Sequence, residues 1–222
     1  HLSWNIGLGN MYNAFARTAR VRRQLADYWK TNYTFPTASP QQTRNTDIFL
    51  STSTNLGRPS VSFHRQETVR RLIDYLSSRQ NLKGSVNGIR LSTKEFRKVL
   101  ADSKILPSPF GWGELGVRDY EAFIYGSLLL KPNMDHMVTW PNIFIPDVTY
   151  ASVDWSFEGL EEQIDSLLAD ESKRVNIATQ GQQAYLDTIS QDGMNKNEIC
   201  APWGVCYTSQ RNFTHHELHL NY

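Results

Sequence analysis

The sequence predicts an α/β domain: a parallel sheet covered by helices on both faces. Three features lead there. Short apolar runs such as Asp47–Thr52 (DIFLST), Lys104–Leu106 (KIL) and Ser127–Lys131 (SLLLK) have the length and composition of buried strands. Between them lie segments whose apolar residues recur at steps of three and four, the pattern of helices that bury one face. A loop of Pro, Ser and Gly then joins the strand at 104–106 to the next helix, a layout that turns backbone N–H groups toward an anion. Alternation of this kind, strand after helix, makes the expected sheet Rossmann-like.

Composition narrows the function classes. With 222 residues, 40% apolar and 20% charged, the chain can bury a sizeable core. The mean hydropathy is −0.49 and no apolar run approaches the length of a membrane-spanning helix. HLSWNIGLGN lacks the basic flank and apolar core of a signal peptide, so a cytoplasmic location is expected. Because the chain opens on His rather than Met, we expect a fragment. Only Cys200 and Cys206 are present, at a spacing that suits neither a CxxC redox pair nor a zinc knuckle. Free thiols in a reducing compartment fit them better than a disulfide. Residues 1–104 carry 17 Lys/Arg against 6 Asp/Glu, whereas residues 105–222 carry 6 against 16. Such asymmetry fits a nucleic-acid surface, an anion site, or two halves that neutralise each other. Basic residues spread over helices and interleaved with acids rank nucleic acid last.

Taken in order, residues 1–9 read as a strand, and Asn10–Lys30 as an amphipathic helix with Arg17, Arg20, Arg22, Arg23 and Lys30 on its polar face. Thr31–Thr46, with Pro36 and Pro40, reads as a linker. After the strand at 47–52, a helix over about Val61–Ser78 carries His64 and Arg65 in its first turn, at the ligand-facing edge of a parallel sheet. Val86–Leu91 is a strand candidate. Ser92 and Glu95 form a capping box for a helix over Thr93–Asp102. A helix over about Leu115–Tyr125 ends at Gly126 before the SLLLK strand, and a further strand is expected near Val148–Ser152. Ser156 is placed to cap a helix over about Phe157–Asp170, and a last helix runs from about Glu171 to Ser190. The expected organisation is a helix and linker over 1–46, a sheet domain over 47–190, and a tail or docking arm over 191–222.

Ile105–Trp140 concentrates the residues of a reactive site. Ser108, Gly111 and Gly113 lie in the loop, where glycine permits close approach of a ligand to the backbone. The following helix offers unpaired N–H groups and its positive dipole end to a diphosphate. Arg118 can add a bidentate phosphate contact, and Glu121, one turn on, is suited either to ribose hydroxyls or to a salt bridge with nearby basic groups. Arg118 and Asp119 alternatively pair with other side chains and lock the loop. Lys131, at a strand end, reaches either phosphate or solvent. His136 beside Asp135 is either a donor-sugar contact and base or a buried histidine next to Trp140. Trp112 stacks on a base or sugar, or belongs to the core. In the tail, His215 and His219 have i, i+4 spacing but no glutamate between them as in a metalloprotease motif, so no metal site is expected. Asn32 and Asn212 head sequons, meaningful only in a secretory compartment.

The segment SPFGWGELGVRDYEAFIYGSLLLKPNMDHMVTWP resembles the nucleotide-sugar-binding segment of GT-B glycosyltransferases of the family-1-like group. The resemblance is carried by Ser108–Pro109, Gly111–Glu114, Glu121–Ala122, Gly126 and Leu128–Leu130, and extends loosely from Asp47 to about Ser190. It implies the C-terminal, donor-binding half of a GT-B fold, which transfers a sugar from a nucleoside-diphosphate donor to an acceptor hydroxyl in polysaccharide or glycoconjugate synthesis. It implies ribose contact for Glu121 and a sugar- or acceptor-side role for Glu114. The group's first glutamate would fall at position 113, which is Gly113 here, one residue before Glu114. It also implies no obligatory cation, and an acceptor domain supplied from outside this chain. The rival from another class is a GT-B-derived module that binds nucleotide or glycan without transfer.

Overall fold

The computed structural model describes residues 38–88, 91–139 and 142–189, with the short segments 199–200 and 206–207. The expected elements at 1–30, both sequons and His215, His216 and His219 lie outside the described residues. Five strands form one parallel sheet: β1 (Thr46–Leu50), β2 (Gly84–Val86), β3 (Ser103–Pro107), β4 (Leu128–Pro132) and β5 (Ala151–Val153), in spatial order β2-β1-β3-β4-β5. Among the described residues five helices accompany it: α1 (Pro59–Ser77), α2 (Thr93–Asp102), α3 (Val117–Tyr125), α4 (Leu160–Ala169) and α5 (Glu171–Ile189). In the tail, β6 (Ile199–Cys200) and β7 (Cys206–Tyr207) pair antiparallel, with Cys200 opposite Cys206.

Side chains alternate across each strand, so the sheet divides its apolar residues between two cores. Ile48, Leu50, Ile105, Leu128 and Leu130 face Leu72 and Tyr75 of α1 and Leu160, Ile164 and Leu167 of α4. Phe49, Leu106 and Leu129 face Leu100 of α2 and Tyr120 and Phe123 of α3. Helix α5 serves both, giving Ile177 and Ala178 to the first core and Tyr185 to the second. The chain leaves β1 through α1 to β2 on one side, then returns through α2 to β3 on the other. The order therefore reverses between β1 and β3, and such a switch point opens a crevice at the carboxyl ends of the strands.

Three local readings are corrected. The strand expected at Val86–Leu91 lies earlier, over Gly84–Val86, because Asn87, whose N–H still donates to the Leu50 carbonyl at 2.8 Å, turns to a φ of 45° and ends the extended run. Ser156 does not cap α4; its N–H is held by Asp154 Oδ1 at 2.7 Å, and α4 starts after Gly159 at φ 71°. The strand expected over Val148–Ser152 begins only at Ala151, since Asp147–Tyr150 make a turn.

Residues 38–45, read from sequence as linker, pack against the amino-terminal ends of the strands. Arg44 is buried there and donates to the carbonyls of Ala101, Ser103, Ser39, Tyr125 and Gly126 and to Ser127 Oγ, all at 2.5–3.0 Å. Gly126 closes α3 with a φ of 63°, and a Cβ there would lie 2.7 Å from the Ala38 carbonyl oxygen. Positive φ and this close approach together require glycine.

Candidate functional site

A cleft of about 440 Å³ opens at the carboxyl ends of β1 and β3, at the switch point. Leu50–Ser53 and Leu56 form one wall; Pro107–Pro109, Trp112, Gly113 and Leu115–Arg118 form the other. Arg65, Phe96 and Glu121 complete the lining. Of the residues singled out in the sequence, Ser108, Gly113, Arg118 and Glu121 are brought together here.

Arg118 spans the cleft. Its Nε donates to Glu121 Oε2 at 3.1 Å, its Nη2 to the Ser51 carbonyl at 2.9 Å, and its guanidinium lies 5.4 Å from the centroid of the Phe96 ring. Its Nη1 is buried without a hydrogen-bond partner. A buried, unpaired guanidinium nitrogen carries a desolvation cost that an anion would offset. Arg65 enters from α1, with Nε 3.3 Å from the Phe110 carbonyl oxygen. Burial, and then the neighbouring Arg118, hold its pKa below the ordinary arginine value. Gly111 makes room for this: a Cβ there would stand 2.5 Å from the Arg65 guanidinium. Gly111 thus supports the cleft from behind rather than lining it.

Glu121 is buried, and its carboxyl is raised above the usual range by desolvation, opposed by Arg118. The arrangement holds two guanidinium groups and one carboxyl around an open volume at a helix start. That suits an anion flanked by a hydroxyl-bearing group. Trp112 stands 65% exposed at the cleft, with the Arg58 guanidinium 5.5 Å from its ring centroid. It belongs to the rim and not to the core.

Besides Gly111, three expected site residues do not line the cleft. Lys131 reaches neither phosphate nor solvent: it is fully buried, 2.8 Å from Asp119 Oδ2 and 2.8 Å from the Glu114 carbonyl oxygen. Strand alternation puts it on the α3 face with Leu129, under that helix. Glu114 takes part through this carbonyl, and it does not line the cleft. His136 is exposed on a ledge past β4, its ring 4.9 Å from that of Trp155, and is neither buried nor in the cleft. Trp140, its expected neighbour, lies outside the described residues.

Arg65 is the site residue that the sequence left without a role. Its signal was its position just after the β1–α1 loop, at the ligand edge. His64 beside it is a spacer: its Nδ1 accepts the Phe110 N–H at 3.2 Å, and its ring packs 5.2 Å from Phe110 and 4.4 Å from Phe157. Burial lowers its pKa to about 4, so it is neutral at pH 7.

Fold and cleft together define a Rossmann-like α/β domain whose ligand edge lies at the β1/β3 switch point. In fold the chain is similar to TarM, with a TM-score of 0.52 at 11% identity, over 72% of this chain and 35% of TarM. The chain thus spans about a third of that protein. It is also similar to the C-terminal domain of a glycosyl transferase group 1 family protein (LpcC) from Francisella tularensis, with a TM-score of 0.47 at 15% identity, over 69% of this chain and 94% of that domain. No family model matches the sequence, and no curated protein matches it.

Proposed function

We propose that this chain is the donor-binding portion of a glycosyltransferase, one that transfers a sugar from a nucleoside-diphosphate donor to an acceptor hydroxyl in polysaccharide or glycoconjugate synthesis. The observation that carries the reading is that two arginines, Arg65 and Arg118, line one cleft, and that Arg118 has a buried Nη1 without a hydrogen-bond partner. The diphosphate lies against these two guanidinium groups and the first turn of α3, and Glu121 accepts from the ribose. On transfer, the bond between the anomeric carbon and the diphosphate oxygen breaks, and charge grows on the departing diphosphate. Fixed donors aimed at that charge stabilise the transition state. The arginines supply this positive charge, so the reading needs no divalent cation. Acceptor groups come from outside the cleft walls described.

A second reading, a binding module without transfer, is favoured by one observation: Gly113 lines the cleft where the resembled enzymes carry a glutamate. Thermal-shift and calorimetric titrations with UDP, GDP, ADP and their sugar conjugates test the proposal. One nucleoside diphosphate should stabilise the chain by about 2.7 kcal/mol at a hundredfold excess over its Kd, with chelator present. Absence of binding by every nucleotide would remove the first reading and leave the second only as a glycan-binding module. Donor hydrolysis in the presence of an acceptor domain separates the first from the second.

A further inference from the structure

The buried pair Asp119–Lys131 has no place in the donor reading as stated, yet it is the most enclosed ion pair among the described residues, with both side chains at 0% exposure. Removing two charges from water costs several kcal/mol per ion, and well-packed apolar residues often stabilise a core as well or better. Stability alone therefore does not account for it. Its contacts point to a different task. Asp119 Oδ2 accepts from Lys131 Nζ at 2.8 Å and from the Gly116 backbone N–H at 2.9 Å. Lys131 Nζ also donates to the Glu114 carbonyl at 2.8 Å. The ammonium sits between aromatic faces, 4.8 Å from the Phe144 centroid and 5.6 Å from that of Phe110.

Gly116 and the flanking Leu115 and Val117 form part of the cleft wall, and Lys131 belongs to β4, between β3 and β5 in the sheet. The pair joins the 114–116 loop to a strand whose five residues are all buried. We infer that Asp119 and Lys131 are positioning residues that bolt the 114–116 loop to β4, and so fix the cleft wall and Arg118 in the geometry that receives the diphosphate. This rests on the donor-site reading for its ligand, but not for the bolt itself. A lysine under a helix start opposes the helix dipole, and Asp119 offsets that charge while holding the loop. A cleft wall fixed before the ligand arrives loses less ordering entropy on binding.

Two double variants of the full chain separate positioning from folding. Asp119→Leu with Lys131→Met removes both charges and both loop contacts. Asp119→Asn with Lys131→Met keeps an acceptor for the Gly116 N–H. The leucine variant should unfold cooperatively, with the amides of β4 still protected. Its Gly116 amide should exchange at least tenfold faster by NMR, a local opening, and the nucleoside diphosphate that binds the wild type should bind about tenfold or more weakly. The asparagine variant should recover Gly116 protection. If the leucine variant folds with unchanged Gly116 exchange and unchanged affinity, the inference is overturned. Should that variant not fold, the wild type decides: a Gly116 amide exchanging at the rate of an open loop overturns the bolt. If no nucleoside diphosphate binds the wild type but Gly116 protection is lost in the leucine variant, the donor reading fails and the bolt stands.

Discussion

Arg118 reaches Glu121, Ser51 and the face of Phe96 and leaves its buried Nη1 without a partner, so on the donor reading its loss should be felt first in binding. Arg118→Ala is expected to weaken nucleoside-diphosphate affinity by about 10–100-fold, the range of one charge-assisted hydrogen bond, measured by calorimetry. An affinity within twofold of wild type would count against the cleft as the diphosphate site. His64 gives a pH signature. Its folded pKa of about 4 lies below the 6.5 of the free side chain, so the unfolded chain takes up its proton first. Stability should therefore fall as pH drops from about 6.5 toward 4, and a His64→Phe variant should lose that slope in urea titrations at several pH values. Glu121 acts in the opposite sense: its raised pKa favours the folded state at low pH, and that contribution is lost as pH rises through the folded value. At this scale the position of Arg118 and Glu121 at the cleft was legible, because a helix just after a glycine loop fixes where its first turn points. Lys131 was not, because its identity suits phosphate equally well, and only the strand register buries it beneath α3.

Elements were legible where local chemistry alone decides them. Helix α2 starts at Ser92, with Ser92 N–H donating to Glu95 at 2.9 Å in the reciprocal capping box that the sequence announces. Ser92→Ala should cost about 1 kcal/mol, and a loss near zero in denaturant titration would mean that tertiary contacts hold the helix start. Gly126 is similar, a glycine closing a helix before an apolar run. What the sequence does not tell is that residues 38–40 pass directly over it. Gly126→Ala should therefore cost more than the about 1–2 kcal/mol of a left-handed non-glycine residue, since the backbone of Ala38–Pro40 must also move. Helix α4 was misplaced at its start for the reverse reason. Ser156 has the right identity for a cap, but Asp154 takes its N–H and Phe157 is drawn into the core at a φ of 64°. A local signal lost there to burial of one aromatic ring.

Short apolar runs separated by helices mark a parallel sheet covered on both faces, which is why the fold class is legible in the sequence, whereas the strand order that places the cleft is seen only in the fold. The unequal charge of the two halves finds part of its use in the fold: Arg71 pairs with Glu161 at 3.5 Å and Arg79 with Asp165 at 2.6 Å, each across the halves. The lower boundary of the domain could not be read, because five of the six acceptors of Arg44 lie 57 to 83 residues away along the chain. Nothing near Thr43–Asn45 marks a clamp. Burial pulls the Arg44 pKa down to about 10, so the residue remains charged at neutral pH, and its many carbonyl acceptors stand in for water. Arg44→Met would leave the carbonyls of Tyr125 and Gly126 without this donor and should destabilise the chain by about 3–5 kcal/mol. The clamp binds the amino-terminal ends of the strands, whereas the cleft lies at their carboxyl ends. Arg44→Met should thus lower the urea midpoint while leaving nucleotide affinity of the folded fraction within about twofold, since distant sites with no shared partners act independently. A parallel loss of affinity at temperatures where the variant is fully folded would show that the two edges of the sheet are coupled.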